Sequence, residues 1–76
     1  MSEPQTFGQK AVGLSFNPSA RTDVEEVKKA CADLIDYMNR LATNTDSGEQ
    51  ARLCRVAITE LQSAQMWAVK ALTWTD

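Results

Sequence analysis

The feature that most constrains the fold of this chain is a long stretch without helix-breaking residues. Residues 49–73 contain neither glycine nor proline, and their apolar side chains occupy more than one stripe of the helix that this stretch predicts. One partner helix covers one stripe, so pairing with a single helix leaves apolar surface in water. An exposed apolar surface of this kind is typical of an interface. We therefore expect this helix to contact other subunits as well as its own chain.

The segment before this stretch predicts an amphipathic helix. Apolar residues recur at spacings of three and four from Val24 to Leu41, which places them on one face of a helix over residues 22–42. Thr22 followed by Glu25 has the pattern of a capping box, in which each side chain bonds a backbone N–H of the first turn. The opposite, charged face is expected to lie in water.

A short polar segment joins the two predicted helices. Ser47 followed by Gln50 is a second capping-box pattern, so we place the later helix at residues 47–73. A connection this short makes the two helices antiparallel neighbours. The predicted fold class is all-α, with an antiparallel two-helix hairpin as its centre.

The N-terminal part of the chain differs in composition from the hairpin. Residues 1–21 contain both prolines and two of the three glycines, which predicts an extended arm rather than a helix. The apolar run from Ala11 to Phe16 indicates that this arm packs on the hairpin. Residues 1–76 are thus expected to form a single domain, an N-terminal arm followed by two helices.

A domain of this size needs a further source of stability, because below roughly 70–80 residues one hydrophobic core seldom suffices. Cys31 and Cys54 lie at apolar helix positions and form at most one bridge, and the chain lacks histidine, the commonest zinc ligand. We expect neither a metal nor a cofactor. Oligomerisation remains, and we expect the hairpins to assemble into a compact homo-oligomer.

Charge and hydropathy exclude several classes of partner. The chain has 8 Lys and Arg against 10 Asp and Glu, a net charge of −2, and no basic cluster, which disfavours binding to duplex nucleic acid. No apolar run approaches the length of about 20 residues that a transmembrane helix needs. The N-terminal residues lack the pattern of a signal peptide. We expect a cytoplasmic protein that binds neither duplex nucleic acid nor a membrane.

Catalysis is also not expected. Without histidine, a general base has to be a carboxylate or a lysine, and the acids of the first helix lie on its solvated side. Ser15 and Ser19 lack the sequence context of a nucleophile. Gly8 and Gly13 are not followed by the lysine and hydroxyl residue of a phosphate loop. These observations favour a binding protein over an enzyme.

Residues around the start of the first helix are suited to binding a nucleotide. The dipeptide Asn17-Pro18 predicts a turn into the first helix. Phe16 and Asn17 lie directly before this turn, where a ring is able to stack on a base and an amide is able to hydrogen-bond it. Lys28, about two turns into the helix, reaches a phosphate, and Arg21 adds positive charge near the helix start. A structural interpretation stays open, in which Phe16 only fastens the arm and Lys28 only pairs with Glu25.

Two further arginines lie on the later helix. Arg52 and Arg55 are three residues apart and share one side of it. In a symmetric oligomer such arginines converge around an axis, whereas on an isolated surface they are solvated charges. Met66, Trp67 and Trp74 add bulk near the end of the same helix and predict a packed interface.

Two stretches of this sequence resemble a family of small phage proteins. The arm ends in Ser-Phe-Asn-Pro-Ser and leads into a helix with Glu-Val-Lys. The later helix reads Arg-x-x-x-x-Ala-x-Thr-Glu-Leu-Gln-x-Ala-x-Met-Trp-Ala-Val-Lys-Ala. Together these resemble the anti-CBASS and anti-Thoeris hairpin-domain family, over about residues 7–74.

The resemblance implies a fold, an assembly and a site. Members of that family are helical hairpins, typically hexameric, in which an aromatic residue of the arm stacks on a base of a cyclic dinucleotide and a lysine of the first helix contacts its phosphates. By motif, Lys28 corresponds to that lysine, and Phe16 corresponds to the aromatic residue by proximity. Some relatives have a second pocket, for cyclic trinucleotides, and Arg52 or Arg55 corresponds to its arginine.

The function implied by the resemblance is sequestration without cleavage. The chain would be a phage-encoded sponge that binds cyclic di- or trinucleotides, or cyclic ADP-ribose isomers, in the cytoplasm of the infected bacterium and so blocks CBASS or Thoeris defence. The alternative is an oligomeric helical adaptor that binds another protein through its apolar second helix.

Overall fold

The computed structural model describes residues 4–17 and 20–76, which contain three helices. Pro18, Ser19 and residues 1–3, where parts of the arm and its Asn-Pro turn were predicted, lie outside the described residues. Helix α1 spans Phe7–Ala11, α2 spans Thr22–Asn44 and α3 spans Gly48–Leu72. Helices α2 and α3 pack together as the predicted hairpin, so the all-α prediction is confirmed.

The prediction of a fully extended arm is wrong over Phe7–Ala11, which is helical. Thr6 Oγ1 accepts a hydrogen bond from the Gln9 N–H at 3.1 Å, and Gln9 Oε1 accepts one from the Thr6 N–H at 2.9 Å. This is a complete capping box. Gly8 lies inside this helix, at a point where α1 approaches α2 so closely that a Cβ atom would be 2.2 Å from the carbonyl oxygen of Ala32.

Helix α2 begins at Thr22, but its capping differs from the sequence prediction. Arg21, with extended backbone angles, is its N-cap residue, and Thr22 is already helical, so the predicted Thr22 capping box is wrong. A capping side chain has to belong to the extended residue before the first turn. Helix α3 follows that rule, since the Ser47 hydroxyl accepts a hydrogen bond from the Gln50 N–H at 3.1 Å.

The hydrophobic core joins the arm to both helices of the hairpin. Val12 from the turn after α1, Ala32 and Ile35 from α2, and Ile58 from α3 are all buried in one cluster. Because Val12 is almost fully covered, burial of its side chain contributes about 1.5–3 kcal/mol to holding the arm in place. The arm is therefore part of the fold and positions the residues that follow it.

The three helices leave large apolar surfaces open. The chain measures 46 × 36 × 12 Å, and its smallest dimension leaves room for little more than one layer of helices, each about 10–12 Å in diameter. Domains usually bury their apolar faces between two layers. The large hydrophobic side chains that remain exposed are Phe7, Phe16, Leu34, Tyr37, Leu53, Val56, Met66, Trp67 and Trp74.

Across residues 4–17 and 20–76, none of the helices combines the length and the apolar character that crossing a bilayer requires.

Candidate ligand-binding site

A tight turn after helix α1 presents Phe16 at the surface. Gly13 has φ +64°, a left-handed conformation that favours glycine, and the Phe16 N–H donates to its carbonyl at 2.9 Å. The Leu14 N–H donates to the Gln9 carbonyl at 2.9 Å, which ties the turn to α1. Phe16 is 73% exposed and lies outside the hydrophobic core cluster. Most of this residue is therefore open to solvent.

Lys28 is a buried lysine that holds this turn. Only 5% of the residue is exposed, and its ammonium group donates to the Gly13 carbonyl at 3.0 Å and to the Phe16 carbonyl. The same ammonium lies 5.6 Å from the centre of the Phe16 ring, within cation–π range. The predicted alternative of a Lys28–Glu25 pair is not formed, since Glu25 pairs with Lys29 at 3.1 Å.

The Asn17 side chain is hydrogen-bonded to the backbone of Arg21, the N-cap residue of α2. Its Nδ2 donates to the Arg21 carbonyl at 2.9 Å, and its Oδ1 accepts from the Arg21 N–H at 3.3 Å. Both ends of the amide are therefore engaged by one backbone unit. This side chain builds the wall of the site and sets the position of Arg21.

The Arg21 guanidinium is held by the carboxylate of Asp23. Arg21 Nε donates to Asp23 Oδ1 at 3.1 Å, and Nη2 donates to Oδ2 at 2.7 Å. Asp23 Oδ1 also accepts a hydrogen bond from the Val24 N–H at 2.8 Å. The hydrogen bond from Arg21 is the main reason that the pKa of Asp23 lies below its usual value.

These side chains surround one cavity of about 120 Å³, at the meeting point of the arm, the start of α2 and the end of α3. Its lining residues are Phe16, Asn17, Arg21, Val24, Lys28, Val69 and Thr73. Four of the six residues predicted from the sequence thus lie together. Small-molecule pockets usually measure about 300–1,000 Å³, so this cavity is smaller than a pocket that encloses a whole ligand.

Sequence reasoning missed three of the lining residues, Val24, Val69 and Thr73. Val24 was assigned to the core stripe, and it lies one helical turn before Lys28 on the same face. Val69 and Thr73 are likewise one turn apart, at the end of α3. An antiparallel hairpin brings the end of its second helix beside the start of its first, and this is the signal that predicts their position.

Arg52 and Arg55 lie elsewhere, in an open groove on α3 that shares none of its lining residues with the cavity. Arg52 donates from Nε and Nη2 to the two carboxylate oxygens of Glu49, each at 2.8 Å. This contact lowers the pKa of Glu49 and raises that of Arg52. Arg55 Nη1 donates to Asn39 Oδ1 at 2.7 Å. The two arginines are placed side by side, away from Phe16.

Fold and cavity together describe a small helical hairpin protein with a small pocket that is lined by one aromatic and two cationic side chains. The exposed ring suits a nucleobase, and the two cations beside it suit a phosphate.

The sequence model of the family described as Acb2/Tad1, hairpin domain matches residues 9–73, and the chain belongs to this family. It is the anti-CBASS and anti-Thoeris sponge family, so the family predicted from the sequence is confirmed. At the level of the family, its members are phage proteins that bind cyclic nucleotide messengers, and they are binding proteins rather than enzymes. Comparison with curated proteins and with solved structures gave no match.

Proposed function

We propose that this chain sequesters a cyclic nucleotide messenger, a cyclic di- or trinucleotide or a cyclic ADP-ribose isomer, without cleaving it. In the cytoplasm of an infected bacterium this would withhold the messenger from the effector of CBASS or Thoeris defence. The observation that carries the proposal is the meeting of an exposed aromatic ring with the cations of Arg21 and Lys28 at one cavity.

The lining groups support binding and not bond cleavage. The cavity is lined by one aromatic, two cationic, two uncharged polar and two aliphatic side chains. Within the described part of the chain this lining offers stacking, charge and hydrogen bonds, and no general base. The hydroxyl of Thr73 donates to the Val69 carbonyl at 2.8 Å and is not activated as a nucleophile.

Lys28 retains donor capacity toward a ligand. An ammonium group has three N–H donors, and the carbonyls of Gly13 and Phe16 use two of them. Lys28 lines the cavity, and its ammonium lies 5.6 Å from the centre of the Phe16 ring. In the proposed complex the third donor would bond a phosphate next to a base stacked on that ring.

We also propose that the protein acts as a homo-oligomer, with the hexamer of its family as the expected state. The isolated chain exposes 5556 Å². A compact monomer of 8.4 kDa exposes about 4,600 Å². The chain thus exposes more surface than a compact monomer of its mass, and assembly would cover part of it. A second subunit would also help the small cavity to enclose a messenger.

The first test is calorimetric titration of the wild type and of Phe16→Ala with cyclic dinucleotides, cyclic trinucleotides and cyclic ADP-ribose isomers. We expect at least one compound to bind with nanomolar Kd, about −12 kcal/mol. Loss of base stacking in Phe16→Ala should weaken that binding about 5- to 100-fold. Phe7→Ala is the matched control, because Phe7 is also exposed but lies outside the cavity. Binding no tighter than micromolar across the panel would contradict the proposal.

A second candidate function is an oligomeric helical adaptor that binds another protein. It is favoured by the exposure of Met66, Trp67 and Trp74 on and after the end of α3. An adaptor would purify with a stoichiometric protein partner and release no nucleotide on heating, whereas a sponge would carry nucleotide.

Native mass spectrometry tests the assembly. We expect a hexamer for the wild type and smaller species for Trp67→Gln, because Trp67 is 67% exposed in the single chain and its replacement removes interface area without affecting the core. Glu60→Gln, an exposed change on the same helix, should leave the hexamer intact. A wild-type monomer at micromolar concentration would refute the assembly.

A further inference from the structure

The guanidinium of Arg21 is one of the two cationic groups of the cavity, and a carboxylate already occupies it. Its Nε and Nη2 bind the two oxygens of Asp23 at 3.1 and 2.7 Å. This two-point geometry is the one by which arginine binds a phosphate. A ligand phosphate that approaches Arg21 therefore meets a carboxylate in the position it needs.

The Asp23 carboxylate is fixed in that position from a second direction. Its Oδ1 accepts the Val24 N–H at 2.8 Å, which ties the side chain to the first turn of α2. Asp23 itself is absent from the cavity lining, whereas Arg21 is part of it. The carboxylate thus restrains a cavity residue from outside the cavity.

The pair is also exchangeable. Both side chains are 41% exposed, and exposed ion pairs of this kind contribute little net stability because water and salt compete with them. An anionic ligand that gains additional contacts, such as stacking on Phe16, is able to displace the carboxylate. An anion without such contacts competes less effectively with the Asp23 carboxylate for Arg21.

We propose that Asp23 is an intramolecular competitor that occupies Arg21 until a phosphate-bearing ligand displaces it, and that it thereby selects against anions that do not also stack. The role rests on the proposed function, because it assigns a specificity-determining residue to the same cavity. It predicts that inorganic anions are excluded by Asp23 rather than by the size of the cavity.

The test is Asp23→Asn, which removes the charge and keeps an oxygen for the Val24 N–H. Wild type and variant are titrated with inorganic pyrophosphate and, separately, with cyclic di-AMP, and binding is followed by the NMR signal of the Arg21 Nε–H. We expect the variant to bind pyrophosphate about three- to tenfold more tightly at Arg21, and to bind a cyclic dinucleotide at least as tightly as the wild type.

Two further variants define the site of the gain. Glu49→Gln is the matched control, because it frees Arg52 from an ion pair of similar geometry outside the cavity, and it should leave the Arg21 signal unchanged. The double variant Arg21→Gln/Asp23→Asn lacks the Arg21 signal, so its pyrophosphate binding is followed by calorimetry beside Asp23→Asn, and the gain should be abolished. Equal or weaker pyrophosphate binding by Asp23→Asn at Arg21 would overturn the inference.

The two hypotheses fail in different ways. If the wild type binds none of the cyclic nucleotides in the panel but Asp23→Asn still gains pyrophosphate at Arg21, the sponge proposal is refuted and the competitor role stands. If the wild type binds a cyclic nucleotide and Asp23→Asn gains nothing, the competitor role is refuted and the sponge proposal stands.

Discussion

Gly8→Ala is expected to detach helix α1 from helix α2 and to lower the free energy of unfolding by about 2–3 kcal/mol. The added Cβ would lie 2.2 Å from the carbonyl oxygen of Ala32 and 2.9 Å from its carbonyl carbon, and neither backbone atom is able to move without distorting α2. Movement of α1 also breaks the hydrogen bond from the Gly8 N–H to Asp36 Oδ1, now 2.7 Å long. Urea unfolding measures the loss of stability, and amide hydrogen exchange locates it.

Gly48→Ala provides the matched control for this substitution. Gly48 is the first residue of α3, and a Cβ atom there meets nothing within 4 Å. Replacing a helical glycine in open space should leave stability unchanged or raise it by up to about 1 kcal/mol. If Gly8→Ala were as stable as the wild type and its α1 were equally protected from exchange, the described docking of α1 would be wrong.

Gly8→Ala also has a functional consequence, although Gly8 does not line the cavity. Helix α1 leads through the buried Val12 into the turn at Gly13, and that turn carries Phe16. Detaching α1 should therefore displace the stacking ring and weaken messenger binding together with stability. Calorimetric titration of the variant with the compound that the wild type binds most tightly measures this effect.

The hairpin is predictable from the sequence because its signal is long. Apolar spacings of three and four persist through both helices, and a polar loop separates them. Helix α1 gives no such signal. A helix of five residues is unstable in isolation and shows no periodicity, so its only mark is the capping pattern of Thr6 and Gln9. Its stability comes from docking through Gly8, a residue that in sequence indicates a break.

The candidate site is predictable only where its residues are close in sequence. Phe16, Asn17 and Arg21 lie near the turn into α2, and helical spacing brings Lys28 toward them. The partners of Lys28 are different, because they are backbone carbonyls and backbone groups leave no residue pattern. Sequence rules therefore pair Lys28 with Glu25 instead. Only the turn at the end of the arm reveals why a lysine is buried there.

Lys28→Met is expected to lower the free energy of unfolding by about 2–3 kcal/mol and to weaken messenger binding about tenfold or more. The variant keeps the aliphatic stem but leaves the carbonyls of Gly13 and Phe16 without their charged donor. The loss is expected to be large because Lys28 is buried and both of its hydrogen bonds are partly shielded from water, so water only partly replaces the lost donor. Denaturant unfolding and calorimetric titration measure the two effects.

Lys29→Met is the matched control for this change. Lys29 carries the same charge one position later, but it is exposed and pairs with Glu25 at the surface at 3.1 Å. Its replacement should change stability by no more than about 0.5 kcal/mol and leave binding intact. Unchanged messenger binding in Lys28→Met would contradict the correspondence of Lys28 to the phosphate-contacting lysine of the family.

The double variant Phe16→Ala/Lys28→Met separates the two ways in which Lys28 affects a ligand. If the ammonium acts by holding the Phe16 turn, part of its contribution is lost already when the ring is removed, so the two losses in binding free energy should sum to more than the loss in the double variant. We expect this coupling, at about 0.5–3 kcal/mol, because the ammonium bonds the Phe16 carbonyl and lies 5.6 Å from the ring. Strictly additive losses would mean that Lys28 meets the phosphate independently of the turn that it holds.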